Sequence, residues 1–251
     1  MILDKFSLKG KVAIVTGSDT GLGQGFSKAF VEAGAKVFGV SNMPSTATQE
    51  MLGAENFQFI QADLSTLDPI DGIISGCLEK FGQIDILVNN AGVIKREDTI
   101  DFSIDNWDLV MNVNCRTLFF LTQAVAKQFV KQGHGGKIIS VASMLSYQGG
   151  IRVPSYTASK SAVKGFTMTM CNEWASKGIN VNCIAPGYMA TNNTKALRAD
   201  ADRSEAILER IPAGRWGTPD DIMGAAVFLA SEASDYVNGF TLAVDGGWLA
   251  R

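Results

Sequence analysis

The sequence predicts an α/β fold: a doubly wound, mostly parallel seven-stranded sheet with helices on both faces. Three observations predict it. Short runs rich in β-branched residues alternate with longer helical stretches along all 251 residues. The short runs are apolar on both faces rather than alternating, as in a parallel sheet covered by helices. The first run leads straight into a glycine-rich turn and then an amphipathic stretch.

The elements follow in order. Residues 12–16 (Val12-Ala13-Ile14-Val15-Thr16) form the first apolar run, and 21–32 the amphipathic segment after the turn. Runs at 36–41 and 57–61 give the next two strands, and 69–81 the helix after them. A strand at 84–89 precedes a long helical stretch at 104–131. A strand at 136–142 leads to a helix at 154–177, started by Pro154. The strand at 180–185 is followed by a helical stretch at 195–210, the helix at 219–230 and a last strand at 240–244. No Ser/Gly/Pro-rich tract divides the chain, so residues 1–251 are expected to form one domain. Segment 188–216 is polar in its middle (Arg198 to Arg203) and follows a strand end, where ligands bind in such sheets. It reads either as a helical flap over the site or as a plain surface helix pair.

Composition excludes several classes of function. A net charge of −3 with no long like-charge run argues against nucleic acid as the main partner. Cys77, Cys115, Cys171 and Cys183 form no CxxC pair and suit neither zinc nor a disulfide framework. The one histidine, His134, sits in a glycine-rich loop, so neither a His-based triad nor a metal site is expected. No segment has the length of a membrane span, and the start lacks a signal-peptide pattern. A cytoplasmic location is the default expectation.

Thr16-Gly17-Ser18-Asp19-Thr20-Gly21-Leu22-Gly23 joins the first strand to the first helix. Glycines let the backbone turn tightly and approach a pyrophosphate, and the helix start offers unpaired N–H groups to that anion. Tyr156 and Lys160 lie four apart on one helix, so their side chains share a face. A nearby cation favours a phenolate and lowers its pKa, which makes the pair a candidate acid/base device. Ser143, thirteen residues earlier, ends a strand and offers a second hydroxyl.

The spacing Gly-x3-Gly-x-Gly resembles the fingerprint of the short-chain dehydrogenase/reductase family. Asn89-Asn90-Ala91-Gly92 is similar to that family's NNAG motif, and Asn114 to its helix asparagine. Ser143, Tyr156 and Lys160 match its catalytic serine, tyrosine and lysine; Pro186-Gly187 with Thr191 matches its nicotinamide-side segment. The resemblance covers nearly the whole chain and implies a Rossmann-like fold and a nicotinamide-linked exchange of a carbonyl and an alcohol. It also implies a cofactor site of Gly17, Asp19, Thr20, Gly21, Leu22, Gly23, Ser41, Asn42, Asp63, Leu64, Asn90, Ala91, Gly92, Tyr156, Lys160, Pro186, Gly187, Met189 and Thr191, with Asp63 on the adenine. Lys160 would also hold the nicotinamide ribose, and Asn114 a water linking Lys160 to solvent.

A carboxylate at the end of the second strand would hold the ribose 2′-hydroxyl of NAD; an arginine would accommodate the 2′-phosphate of NADP. Position 41 is serine, and neither Thr20 nor Asn42 is a cation. Without a cation the phosphate is poorly held, so NAD(H) is expected and NADP is less favoured. Tyr156 is expected to act as base in oxidation and acid in reduction, with Ser143 bonding the reacting oxygen.

The loop 143–154 must line the substrate side. Arg152 lies one turn before Tyr156, and Lys95 and Arg96 follow the 89–92 strand end on the same rim. An arginine fork binds a carboxylate with two parallel hydrogen bonds, so a small anionic substrate is expected, unless these are rim charges paired with Glu97, Asp98 or solvent. Gln148 and Tyr147 could bond sugar hydroxyls or be structural. Segments 142–160, 185–194, 210–217 and 244–251 resemble a subgroup acting on carboxylate-bearing deoxy sugar acids of uronate breakdown, which would place Asn193 near the substrate. Trp248-Leu249 in the tail reads as packing on a neighbouring subunit or on its own core, and the resemblance implies a homotetramer. The alternatives are a reductase of other carbonyls, such as a hexonate or a 3-ketoacyl group, and a nicotinamide-binding regulator without turnover. The polar loop disfavours acyl chains, and the intact Ser143, Tyr156 and Lys160 disfavour the regulator.

Overall fold

Alternate residues of each strand feed two apolar layers, and this places a helical layer on either face of one sheet. The computed structural model describes residues 1–251. Its strands are β1 (Val12–Thr16), β2 (Lys36–Ser41), β3 (Phe57–Gln61), β4 (Ile86–Asn89), β5 (Gly136–Val141), β6 (Ile179–Pro186) and β7 (Thr241–Val244). They run in the order β3-β2-β1-β4-β5-β6-β7, and every pairing is parallel, so the expected "mostly" is too weak. On one face Ala13, Val15, Val37 and Val88 pack on Phe26 and Phe30 of α1 (Gly21–Glu32) and on Ala226 and Leu229 of α9 (Pro219–Ala230). On the other face Val12, Ile14, Val40 and Leu87 pack on Ile73 and Cys77 of α3 (Ile70–Phe81), Val125 and Phe129 of α5 (Leu118–Gln132) and Met170 of α6 (Pro154–Trp174). A fully buried Leu or Phe in such a layer stabilises by roughly 1.5–3 kcal/mol, so the two layers carry the fold.

Three helical segments differ from the sequence reading, and the tail decides between its two readings. The expected helix 104–131 is three pieces: α4 (Ile104–Met111), a π-helical turn (Asn112–Thr117) and α5. The expected helix 195–210 is two, α7 (Lys195–Ala199) and α8 (Ala201–Arg210). Asp200 leaves helical geometry between them and caps α8, its carboxylate accepting from Arg203 N–H at 3.1 Å. A short helix, α2 (Thr46–Leu52), was not expected, because polar contacts rather than an apolar stripe anchor it: Thr48 Oγ1 donates to Ser18 O at 2.9 Å and Gln49 Nε2 to Phe57 O at 3.1 Å. The tail does not reach outward. Trp248 is 5% exposed and joins Ile207, Ile211 and Ala185 in a third apolar cluster, so it docks on its own chain. No helix is long and apolar enough to cross a membrane.

Candidate active site

Strand order reverses between β1 and β4, and ligands of open parallel sheets bind beyond the carboxyl ends of the strands at such a switch point. A cleft of about 460 Å³ opens there. Its floor is a stitch between the two strand ends. Thr16 Oγ1 accepts from the N–H groups of Asn90 and Ala91, each at 2.9 Å, and Asn90 Nδ2 donates to Thr16 O at 2.9 Å and Gly17 O at 3.2 Å. Gly17 has φ +67°, a left-handed conformation that glycine adopts without strain. A Cβ on Gly23 would stand 1.9 Å from Gly17 O and 2.6 Å from Asn90 Nδ2, so only glycine lets α1 start this close to the turn. Gly23 therefore sits under the turn instead of facing the cleft. The other residues expected at the cofactor all line it: Gly17, Asp19, Thr20, Gly21 and Leu22, then Ser41, Asn42, Asp63 and Leu64, then Asn90, Ala91 and Gly92, and across them Tyr156, Lys160, Pro186, Gly187, Met189 and Thr191.

The turn is braced from behind. Ser18 Oγ lies 3.0 Å from Ser45 Oγ, and Gln24 Nε2 donates to Thr48 Oγ1 at 3.0 Å. Ser41 Oγ donates to the carboxylate of Asp19 at 2.5 Å. Asp63 accepts from the N–H and the hydroxyl of Ser65, at 2.9 and 2.8 Å, and these bonds hold its pKa below the ordinary carboxylate value.

At the other end of the cleft Ser143, Tyr156 and Lys160 come together. Ser143 stands two residues past the end of β5, and its Oγ accepts from Leu145 N–H at 3.1 Å. Lys160 is 2% exposed; its Nζ donates to Val141 O at 2.5 Å and lies 5.6 Å from the centre of the Tyr156 ring. Burial pushes Lys160 down to about 8. Burial also pushes the Tyr156 phenol above its ordinary value, against the Ser143 hydroxyl and the Arg96 charge, which pull it down. The expected lowering of Tyr156 is thus reversed in this structure, because desolvation of the phenol outweighs the Ser143 hydrogen bond and the Arg96 charge.

Asn114 is fully buried behind this end, in the π-helical turn. Its Oδ1 accepts from Val93 N–H at 2.8 Å, and its Nδ2 donates to Val93 O at 2.9 Å and to Ser159 Oγ at 3.2 Å. It fixes the chain that leaves β4 and meets α6 through Ser159. An extra residue in a helical turn is a common device for aiming a side chain this way.

The substrate-side residues separate. Asn193 lines the cleft, on a 3-10 turn (Asn192–Thr194) between β6 and α7. Arg152 does not: its Nε binds Asp98 at 2.8 Å, in an exposed pair, and its backbone takes φ +64°. Arg152 O also accepts from Glu97 N–H at 3.1 Å. These contacts tie the loop before α6 to the loop after β4. Glu97 and Asp98 are thus both engaged, while Arg96, also outside the cleft lining, is exposed, has no ion-pair or hydrogen-bond partner, and is the residue whose charge reaches Tyr156. Gln148 is turned away, accepting from Trp248 Nε1 at 3.0 Å and from Arg210 Nη2 at 3.4 Å. Tyr147 stacks under Lys164 at 3.8 Å. Val93, Leu109, Val113 and Ala142 also line the cleft and were not foreseen. Leu109 and Val113 stand four apart, on one helical face just ahead of Asn114, a spacing that points to them.

A protein-family profile described as enoyl-(acyl carrier protein) reductase matches residues 17–249. The chain is 61% identical to 2-dehydro-3-deoxy-D-gluconate 5-dehydrogenase of Dickeya dadantii over 253 aligned positions, covering all of both chains. A solved Agrobacterium tumefaciens structure, provisionally described as 2-deoxy-D-gluconate 3-dehydrogenase with bound NADP, shares 52% identity at a TM-score of 0.90. That match covers 98% of this chain and 99% of the other. Gluconate 5-dehydrogenase of Burkholderia cenocepacia, solved with NADP and tartrate, shares 38% identity at a TM-score of 0.93 over the whole of both chains.

Proposed function

Since this chain belongs to the short-chain dehydrogenase/reductase family and is an oxidoreductase of CH–OH groups, we propose that it interconverts a keto group and a secondary alcohol on a deoxy-hexonate sugar acid with NAD(H). The substrate pair is of the 2-keto-3-deoxygluconate and 2,5-diketo-3-deoxygluconate type, in uronate catabolism. The observation that carries the reading is one cleft that joins a glycine turn at one end to Ser143, Tyr156 and Lys160 at the other. The full-length likeness to 2-dehydro-3-deoxy-D-gluconate 5-dehydrogenases supports the substrate class.

The residues fit a nicotinamide dinucleotide. The room above Gly17 and Gly21, where glycine at position 23 lets α1 start hard against the turn, suits a pyrophosphate at the start of α1. Bound there, the cofactor supplies or accepts the hydride. The chain's own groups handle the proton and the geometry. Tyr156 gives its phenolic proton to the substrate oxygen in reduction and takes it back in oxidation. Ser143 donates a hydrogen bond to the same oxygen and holds it in place. Lys160 places a positive charge beneath this pair, and Asn114 positions the Val93 backbone and Ser159 around it. Arg96, unpaired on the rim, binds the substrate carboxylate. Segment 188–216 acts as a flap that brings Asn193 over the sugar, and the subunits are read as a cytoplasmic homotetramer.

The preference for NAD(H) rests on the adenosine end of the cleft, which has no arginine or lysine; Lys160, at the far end, is the one cation on the lining. The two solved relatives with NADP stand against that reading and make it testable. A panel of keto-deoxy-hexonates, hexonates and 3-ketoacyl thioesters, each assayed with NADH and NADPH, tests both parts. Highest kcat/KM on a keto-deoxy-hexonate with NADH is expected. Turnover confined to acyl thioesters would overturn the substrate, and a higher kcat/KM with NADPH would overturn the cofactor.

A further inference from the structure

The end of β2 is the place where a nicotinamide-binding sheet reads the adenosine ribose. Here it carries Ser41, which has no charge and is almost fully buried. Yet a carboxylate stands beside it. The Ser41 hydroxyl donates to Oδ1 of Asp19 at 2.5 Å, and Asp19 belongs to the glycine turn rather than to the strand. The second carboxylate oxygen of Asp19 has no partner in the protein, and the side chain is partly exposed on the cleft wall. The other acid at this end, Asp63, has both oxygens engaged by Ser65. Asp19 is thus the acid there with an oxygen to spare.

We propose that Asp19, held in place by Ser41, selects the cofactor by accepting a hydrogen bond from the ribose 2′-hydroxyl and repelling a 2′-phosphate. A charged acceptor gives a hydrogen bond about twice as strong as a neutral one. A phosphate carrying nearly two negative charges would meet this carboxylate with no cation beside it. Selection then comes from an acid on the turn, steadied by a serine on the strand. The proposal rests on the nicotinamide-binding reading above and deepens it.

Calorimetric titration with 5′-AMP and with 2′,5′-ADP tests it on the cofactor-free protein, without turnover. Wild type is expected to bind 5′-AMP the more tightly. Asp19→Asn keeps an acceptor for Ser41 but loses the charge; 2′,5′-ADP should bind about tenfold more tightly to it than to wild type. Ser41→Ala should weaken 5′-AMP severalfold while keeping the order of the two ligands. An unchanged ratio of the two affinities in Asp19→Asn, with an unchanged melting temperature, overturns the proposal. If wild type prefers 2′,5′-ADP, the NAD reading fails by itself. The Asp19 assignment then still stands or falls on whether Asp19→Asn raises 2′,5′-ADP affinity. If neither nucleotide binds while the protein is folded, both fail.

Discussion

The two ends of the cleft are built by different means. The nucleotide end is made of short-range backbone constraint: glycines at φ +67° and +59°, a helix started within four residues of a strand, and small hydroxyls closing the turn. The substrate end is made of long-range pairing. Asp98 takes Arg152, Gln148 takes Trp248 a hundred residues away, and Asn114 takes the backbone of Val93. The first end tolerates almost no change in backbone. The second is held by side chains that could be exchanged without moving the sheet. A cofactor site that stays while the substrate site changes is what such a division allows.

Predictions can break or sharpen that contrast, and the largest concerns the proton. Tyr156→Phe is expected to lower kcat by a factor of about 10³ or more while cofactor affinity, measured by fluorescence titration, stays within about threefold. Residual activity above a tenth of wild type would remove Tyr156 from its role. Next comes Gly23→Ala, whose methyl would collide with Gly17 O. It should cost on the order of 3 kcal/mol of stability, or abolish cofactor binding with the fold intact, as read by urea unfolding and nucleotide titration. Full stability with normal affinity would show that the nucleotide end is more pliable than described.

The substrate end gives a smaller and more selective effect. Arg96→Ala is expected to raise KM for a keto acid roughly 10- to 100-fold and to leave a neutral keto sugar unaffected. Arg152→Gly, which suits the positive φ there, should change either KM by less than about threefold, since an exposed ion pair is worth little. The reverse pattern would exchange the roles of the two arginines. A separate effect is on pH dependence. Lys160 has a folded pKa of about 8 against an unfolded value of 10.5. Between those values the unfolded chain binds more protons than the native one, so native stability rises with pH across that window. Lys160→Met should therefore be more stable than wild type at pH 7, by on the order of 3 kcal/mol, and lose that advantage as pH approaches 10.5. A difference in unfolding free energy that does not vary with pH would contradict the buried charge.

The contrast also explains which parts of the molecule could be read from sequence. Strands β1 to β3 and helices α1 and α9 match expectation residue for residue, because period, apolar content and the glycine turn are local signals. Gly17, Gly21, Asn90, Ser143, Tyr156 and Lys160 stand out for the same reason, and all line one cleft. Arg152 stands four residues before Tyr156 in sequence, which makes it a candidate beside Arg96. Spacing does not show that Asp98, fifty-four residues away in sequence, reaches it first. Gln148 was a candidate for sugar hydroxyls by position, and Trp248 Nε1 claims it. Sequence leaves the tail between a neighbour and its own core, because an apolar end has no partner in one dimension; in three, Trp248 meets Tyr188, with ring centres 4.7 Å apart. Helix α2 escaped notice since its hold on the turn is a pair of polar contacts with no period.

That short helix has a consequence for binding thermodynamics. Thr48 and Ser45 hold the glycine turn from behind through Ser18, so its backbone is already in its final shape when the chain has folded. A nucleotide arriving there need not freeze a floppy loop. The entropy of ordering has been lost during folding, at roughly 1–2 kcal/mol for each residue fixed. Affinity for the pyrophosphate then reflects contact enthalpy with little conformational cost, which is the benefit of preorganisation. Cutting the Thr48 link would return that cost to the binding step and leave every ligand contact in place.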